Sequence, residues 1–307
     1  MQIDKSGVYE LDEKTYHSDC CVGPSLSSSG AHTLIDECAA RFWFTSYLNP
    51  DREPDESSNV ADFGTATHVA ILEPERWTER VVIVQKDDWR TNEAKNARDD
   101  ARNAGKVALL GKDAERVSQI STAMAKHPIA GAAFKDGVAE RSLIYQDPFT
   151  EVWCKARPDY LRMGTKQIVQ LKTVPSANPR NFARHAWDMG YFQRAAWEIE
   201  TAQHVLGFAP DYWFVVQERE PPYLVSVIQP DGMAIEWGHI LNAKAREKFA
   251  ACIADNRWPG YGDRAVTISL PTYAVFQLEE RHQAGEFALS AQFSIAQKMQ
   301  APAEIGA

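Results

Sequence analysis

Two strand-like runs, residues 151–160 and 167–173, joined through a Met163-Gly164 turn, constrain the fold of this chain more than any other stretch. With residues 139–145 ahead of them, set off by Asp147-Pro148, they read as an antiparallel β-meander. Side chains two positions apart on a strand point the same way, roughly 6.6 Å from one another. Gln170 and Lys172 therefore share a face with Ile168, while Val169 and Leu171 point into a core. Asp159 ends the preceding strand, and an antiparallel return of this length brings it beside Gln170. Asp159, Gln170 and Lys172 are expected to converge.

Helical signals surround the meander. Pro24 and the hydroxyl run Ser25-Leu26-Ser27-Ser28-Ser29 offer N-caps for a helix reaching about residue 48, where Asn49-Pro50 ends it. A second helix is expected over about 61–72, carrying His68 and stopping before Glu73-Pro74. A strand over 81–84 and helices over 92–104 and 112–125 make a side layer. After the meander come helices over 178–187 and 191–206, the second with Phe192, Ala195, Ile199, Ala202 and Leu206 at helical spacing. Strands over 212–216 and 223–228 precede a helix over about 233–254, and strong periodicity is lost after Trp258-Pro259-Gly260-Tyr261-Gly262. This order predicts an α/β (α+β) fold. Residues 1–265 are expected to form one domain, and 266–307 a peripheral segment or tail.

Of the 307 residues, 44% are hydrophobic and 24% charged, ordinary for a soluble globular protein, and no apolar run approaches the roughly 20 residues that span a bilayer. The N-terminal stretch lacks the basic start, apolar centre and cleavage site of a secretory signal, so a cytoplasmic location is expected. Cys20, Cys21, Cys38, Cys154 and Cys252 are scattered without a C-x-x-C pair and read as free thiols; an iron–sulfur cluster is the alternative. A net charge of −9 argues against a protein that coats nucleic acid indiscriminately, because such affinity comes from neutralising phosphates. Between Trp153 and His185, however, Lys155, Arg157, Arg162, Lys166, Lys172, Arg180 and Arg184 accompany a single acid, Asp159. Taken alone, such an island reads as a solvated face. Its overlap with the Asp159 and Lys172 pair instead favours Arg157, Arg162, Lys166, Arg180 and Arg184 as DNA contacts.

The convergent groups suit phosphodiester hydrolysis. Mg²⁺ takes oxygen ligands in octahedral geometry at about 2.0–2.1 Å and lowers the pKa of a bound water, and Mn²⁺ accepts the same donors. A lysine beside it would orient or deprotonate that water and stabilise developing charge. The discordant residue is Gln170, which stands where a second carboxylate is wanted. Its amide oxygen can still coordinate a cation but lacks a full negative charge. From the sequence, Gln170 marks a site where activity has been reduced or removed, and Gln170→Glu restores it.

Pro158-Asp159 followed by Gln170-Leu171-Lys172, one residue away from (Glu/Asp)-x-Lys, resembles the signature of the PD-(D/E)XK nucleases. Within them the chain resembles the RecE (exonuclease VIII) type. The likeness includes Tyr16-His17, the serine run, the segment from Gly64 through His68 to Pro74, Lys155-Ala156-Arg157-Pro158-Asp159, Leu171-Lys172-Thr173, and Gln193 in a Gln-x-x-x-aromatic helix ending at Trp197. It implies a PD-(D/E)XK core, with a central mixed β-sheet flanked by helices and helical N-terminal additions. It also implies a phage- or prophage-encoded, metal-dependent exonuclease that digests double-stranded DNA ends 5′ to 3′, leaving 3′ overhangs for recombination. A ring-shaped homo-oligomer and a RecT-like single-strand annealing partner follow from the same likeness. So do the roles of His68, Asp159 and Gln170 as metal ligands, Lys172 as catalytic lysine, and Gln193 as a helper near the scissile phosphate. Trp197 stands where related nucleases often carry tyrosine, and Glu140 is a further acidic candidate. Two alternatives remain: a non-catalytic DNA-binding or assembly protein, and a restriction- or Cas4-like nuclease on the same core.

Overall fold

A computed structural model of the protein describes residues 2–53 and 58–288. It begins with strand β1 (Gly7–Tyr9), helix α1 (Glu13–Tyr16), strand β2 (Ser25–Ser27) and helices α2 (Ser28–Asp36), α3 (Ala39–Thr45) and α4 (Asn59–Leu72). The serine run makes a strand and then a cap, Ser27 Oγ accepting from Gly30 N–H at the start of α2. The single helix expected to reach about residue 48 is broken at Glu37-Cys38, where Cys38 is extended. That break lets α3 fold back over α2. Phe42 sits against Gly30, where a Cβ would lie 2.7 Å from the ring.

Helix α5 (Trp77–Arg80), strand β3 (Val81–Val84), helix α6 (Asn92–Asn103), strand β4 (Val107–Leu110) and helix α7 (Gly111–Lys126) follow. The expected side layer thus gains a strand, β4, which pairs in parallel with β3 as a separate sheet. Leu109, Val117 and Ile120 pack with Phe63, Ala66 and Val69 of α4. This apolar cluster fixes the helix that carries His68.

Helix α8 (Ala130–Ala133) leads into β5 (Val138–Ala139), β6 (Ser142–Gln146), β7 (Trp153–Ala156), β8 (Tyr160–Arg162) and β9 (Gln167–Val174). The expected meander is divided between two sheets. Strands β6 and β7 lie in a four-stranded sheet ordered β1-β6-β7-β2, whereas β5, β8 and β9 lie in a five-stranded one. One run changes sheet at Glu140, in the left-handed region at φ 56°. The other changes at Pro158, which has no N–H to continue a ladder. These two switch points are tied together, Glu140 N–H donating to the Asp159 carbonyl at 3.1 Å.

Helices α9 (Pro179–Asp188) and α10 (Tyr191–Leu206) carry the chain to β10 (Asp211–Glu218), then β11 (Val225–Ile228) and α11 (Gly232–Asp255). Strand β10 pairs in parallel with β9 and antiparallel with β11, so the sheet β11-β10-β9-β8-β5 is mixed. This is the expected α/β class, with a central mixed sheet. Strand β9 is covered on both faces, Ile168 packing in one core with Trp197 and Phe214, Val169 and Leu171 in another with Val215. Gly190 opens α10 at φ 65°, and a Cβ there would lie 2.5 Å from the His32 ring. Residues up to Tyr261 form one compact unit and residues from Gly262 a second, which contains helix α12 (Thr272–Gln283) where the sequence lacks strong periodicity. The peripheral segment or tail expected over 266–307 lies outside the described residues from residue 289 onward. Among the described residues no helix is long and apolar enough to cross a membrane, and all five cysteines are free and buried.

Close packing of α11 on α10 depends on Gly238, whose added Cβ would lie 2.5 Å from Ala196 Cβ and 2.9 Å from the Phe192 carbonyl. Gly238→Ala is expected to cost about 1–3 kcal/mol. Denaturant unfolding should show a lower midpoint with an unchanged slope.

Candidate active site

Asp159 occupies the fork between the two sheets, and its register continues the Tyr160–Val169 pair toward Gln170. Its Oδ2 accepts from Leu171 N–H at 2.8 Å. The same oxygen lies 3.9 Å from His68 Nδ1 on α4 and 3.9 Å from Lys172 Nζ on β9. Glu140 enters from the other side of the fork, held by Arg157 with Nε 2.7 Å from its Oε2. One donor atom each from His68, Glu140 and Asp159 lies within 4.8 Å of the other two. The three line a cleft of about 370 Å³ together with Lys172, Arg157, Arg194 and Arg80.

The charges in this cleft are set by burial and by one another. Burial opposes ionisation of Asp159, but Lys172, His68, Arg194 and Leu171 N–H outweigh it and hold the carboxyl below its ordinary value. Burial lowers His68 and is only partly offset by Asp159, which favours a neutral imidazole able to coordinate. Lys172 is likewise lowered by burial against the pull of Asp159. Glu140 is raised to about 7, first by burial and then by Asp159, despite Arg157. Two crowded acids beside a neutral imidazole form a donor set that fits a divalent cation, with water completing its shell.

Gln170, expected among the ligands, has its amide engaged elsewhere. Nε2 donates to Glu198 Oε2 at 2.7 Å and Oε1 accepts from Lys172 Nζ at 3.2 Å, in a fully buried position. A carboxylate on one side and an ammonium on the other dictate which end of the amide points where. Glu198, itself fully buried, also accepts from Arg194 Nε at 2.9 Å and Tyr212 OH at 2.9 Å. A glutamate at 170 would face this carboxylate. The amide therefore has a partner at each end, and Gln170 does not line the cleft.

Gln193 is also turned away from the cleft. It is buried, with Oε1 3.2 Å from His32 Nδ1, and the α10 residue that lines the cleft is its neighbour Arg194. Nothing in the Gln-x-x-x-aromatic spacing marks that arginine. Trp197 belongs to the core, its indole N–H donating to the Lys155 carbonyl at 3.0 Å. Of the five basic residues expected to contact DNA, Arg157 alone lines the cleft. Arg162 bonds the Lys135 carbonyl and Gln167, Lys166 lies over Phe208 in the turn between β8 and β9, and Arg180 and Arg184 are exposed on α9.

Two outcomes follow from this geometry. His68→Ala and Glu140→Gln should each weaken Mn²⁺ binding by roughly tenfold or more in calorimetric titration. Gln170→Glu should lower stability by on the order of 3 kcal/mol at neutral pH, because it leaves two buried carboxyls in contact. One of them must hold a proton, so its folded pKa rises above the unfolded value of about 4.3. The deficit consequently grows as pH rises and shrinks toward pH 4.3, a trend thermal melts at pH 5 and pH 8 would check. Exchanging the groups, with Gln170→Glu and Glu198→Gln together, should recover most of the loss.

No curated protein matches the chain in sequence. A solved structure described as a "putative exonuclease" from Eubacterium rectale is similar in fold, with a TM-score of 0.59, 13% identity, and coverage of 87% of this chain and 98% of that one. The family described as a PDDEXK-like domain of unknown function (DUF3799) matches residues 27–270, a span that includes His68, Glu140, Asp159, Lys172 and Arg194. Family and fold together support a nuclease-type function. On this match, the chain belongs to the PDDEXK-like family.

Proposed function

We propose that this protein is a divalent-metal-dependent deoxyribonuclease that digests linear double-stranded DNA from its 5′ ends and leaves 3′ single-stranded tails. One observation carries the reading: donor atoms of His68, Glu140 and Asp159 lie within 4.8 Å of one another, with Lys172 Nζ 3.9 Å from Asp159. A bound cation would polarise the phosphate and acidify its water. His68, Glu140 and Asp159 would hold it, with Glu140 taking the part expected of the second strand acid. Leu171 N–H fixes the Asp159 carboxylate and Arg157 fixes that of Glu140. Lys172 is buried enough to release its proton more readily than a surface lysine, so it can orient an attacking water and accept a proton from it. The carboxylates of Glu140 and Asp159 suit Mg²⁺ and Mn²⁺ alike.

The finer parts of the reading rest on the resemblance to RecE-type enzymes. These are the 5′ to 3′ polarity, the ring-shaped homo-oligomer, the annealing-protein partner and the phage or prophage setting in a bacterial cytoplasm. The same reading takes residues 1–265 as the catalytic domain and 266–307 as a segment outside it.

End-labelled linear duplex incubated with Mn²⁺ or Mg²⁺ should be shortened from the 5′ end, while covalently closed circles stay intact. Asp159→Ala and Lys172→Ala should each slow digestion by roughly 10²-fold or more. Equal cutting of linear and closed DNA would instead favour a restriction- or Cas4-like nuclease. DNA bound equally with and without metal, and never cut, would favour a non-catalytic binding protein.

A further inference from the structure

Arg194 is the part of the cleft that the proposed chemistry leaves without a role. It leaves α10 beside Asp159 and Lys172 and lines the same cavity. Its side chain is 35% exposed, whereas its partner Glu198, one turn along the helix, is 0% exposed and does not line the cleft. Of the arginine's donors, Nε is committed to Glu198 Oε1 at 2.9 Å, and among the described residues the outer fork of the guanidinium makes no hydrogen bond to protein. An exposed i,i+4 pair of this kind would be an ordinary surface salt bridge. Here the acid is buried, and a buried carboxylate persists only when its oxygens are satisfied. Three donors converge on it: Arg194 Nε, Gln170 Nε2 and Tyr212 OH. The arrangement ties one edge of the guanidinium to the buried acid in a side chain that lines the cleft.

We propose that Arg194 is a phosphate-binding residue of this site, that Glu198 is its positioning residue, and that position 170 carries an amide because it must lie against the Glu198 carboxylate. The inference rests on the nuclease reading, since it supplies the phosphodiester that the arginine holds. A planar guanidinium presents paired N–H groups that match two phosphate oxygens, and a fork already immobilised by Glu198 loses little freedom on binding. Lys172 and Arg194 would then flank the phosphate, while His68, Glu140 and Asp159 face it with the cation. Gln170 contributes by bridging Glu198 to Lys172, which links the two cationic groups through one buried network.

The test is binding of a short fluorescent duplex to the full-length protein in Ca²⁺, followed by anisotropy at several salt concentrations. Arg194→Ala should weaken binding by roughly tenfold or more. It should also reduce the slope of log K against log salt by about one contact. Arg194→Lys, which keeps a cation for Glu198 but not the fork, should bind with intermediate affinity. Because Arg194→Ala strips a partner from a buried acid, the double variant Arg194→Ala with Glu198→Gln, which leaves no unpaired buried charge, is measured alongside and should match the single variant in affinity and slope. Variants that melt earlier yet bind with the parent's affinity and salt slope would overturn the assignment and leave Arg194 a structural residue. A parent protein that binds no duplex at all would overturn the nuclease reading and this inference together.

Discussion

The hydrogen bond from Glu140 N–H to the Asp159 carbonyl, 3.1 Å long, closes the point from which the rest of the site is organised. On one side of it the chain takes a left-handed turn at Glu140, and on the other Pro158 ends a strand by withholding a donor. Two sheets part there, and the residues at the parting are the two acids. Glu140 and Asp159 extend the register that sets Ala139 opposite Tyr160, and residues directly opposite on antiparallel strands face the same way. At the fork both border one gap, where α4 adds His68. Positive φ at a residue other than glycine is uncommon and tends to occur where a functional group must be aimed.

Behind this gap lies a second layer of buried charge. Glu198, Gln170, Lys172 and Asp159 form a chain in which each polar group has a partner within the protein. Low local polarity makes such a chain strong when complete and costly when one member is replaced by a group of the wrong charge. Position 170 shows the consequence. Glutamine and glutamate have nearly the same shape, yet the amide donates to one neighbour and accepts from the other without having to bind a proton. The missing acid of the strand motif is thus matched by an acid on the helix behind it, and the cleft retains Glu140 as a second carboxylate.

Much of this was legible along the chain. Helix starts are marked by side chains that cap free N–H groups, as at Ser27 and Asn178, and these effects act over three or four residues. The pairing of Asp159 with the strand that carries Gln170 and Lys172 follows from turn length and strand alternation. His68 and Lys172 stand in the cleft as the motif order implies. The break between α2 and α3 and the strand β4 were not legible, because packing of Phe42 on Gly30 and pairing with β3 involve partners outside the local window. Gln193 and the basic residues near it illustrate the same limit: a spacing says which side chains share a helix face, not which face meets the cleft.

The sequence by itself determined the element types, the approach of Asp159 to β9 and the presence of a lysine beside them, since these depend on local backbone chemistry and short-range periodicity. Only the tertiary structure decided which acid accompanies Asp159, which residue of α10 reaches the cleft and which groups the amide at position 170 meets. Those outcomes depend on groups far apart in the chain, 28 positions in the case of Gln170 and Glu198, meeting where water is excluded and every charge must find a partner.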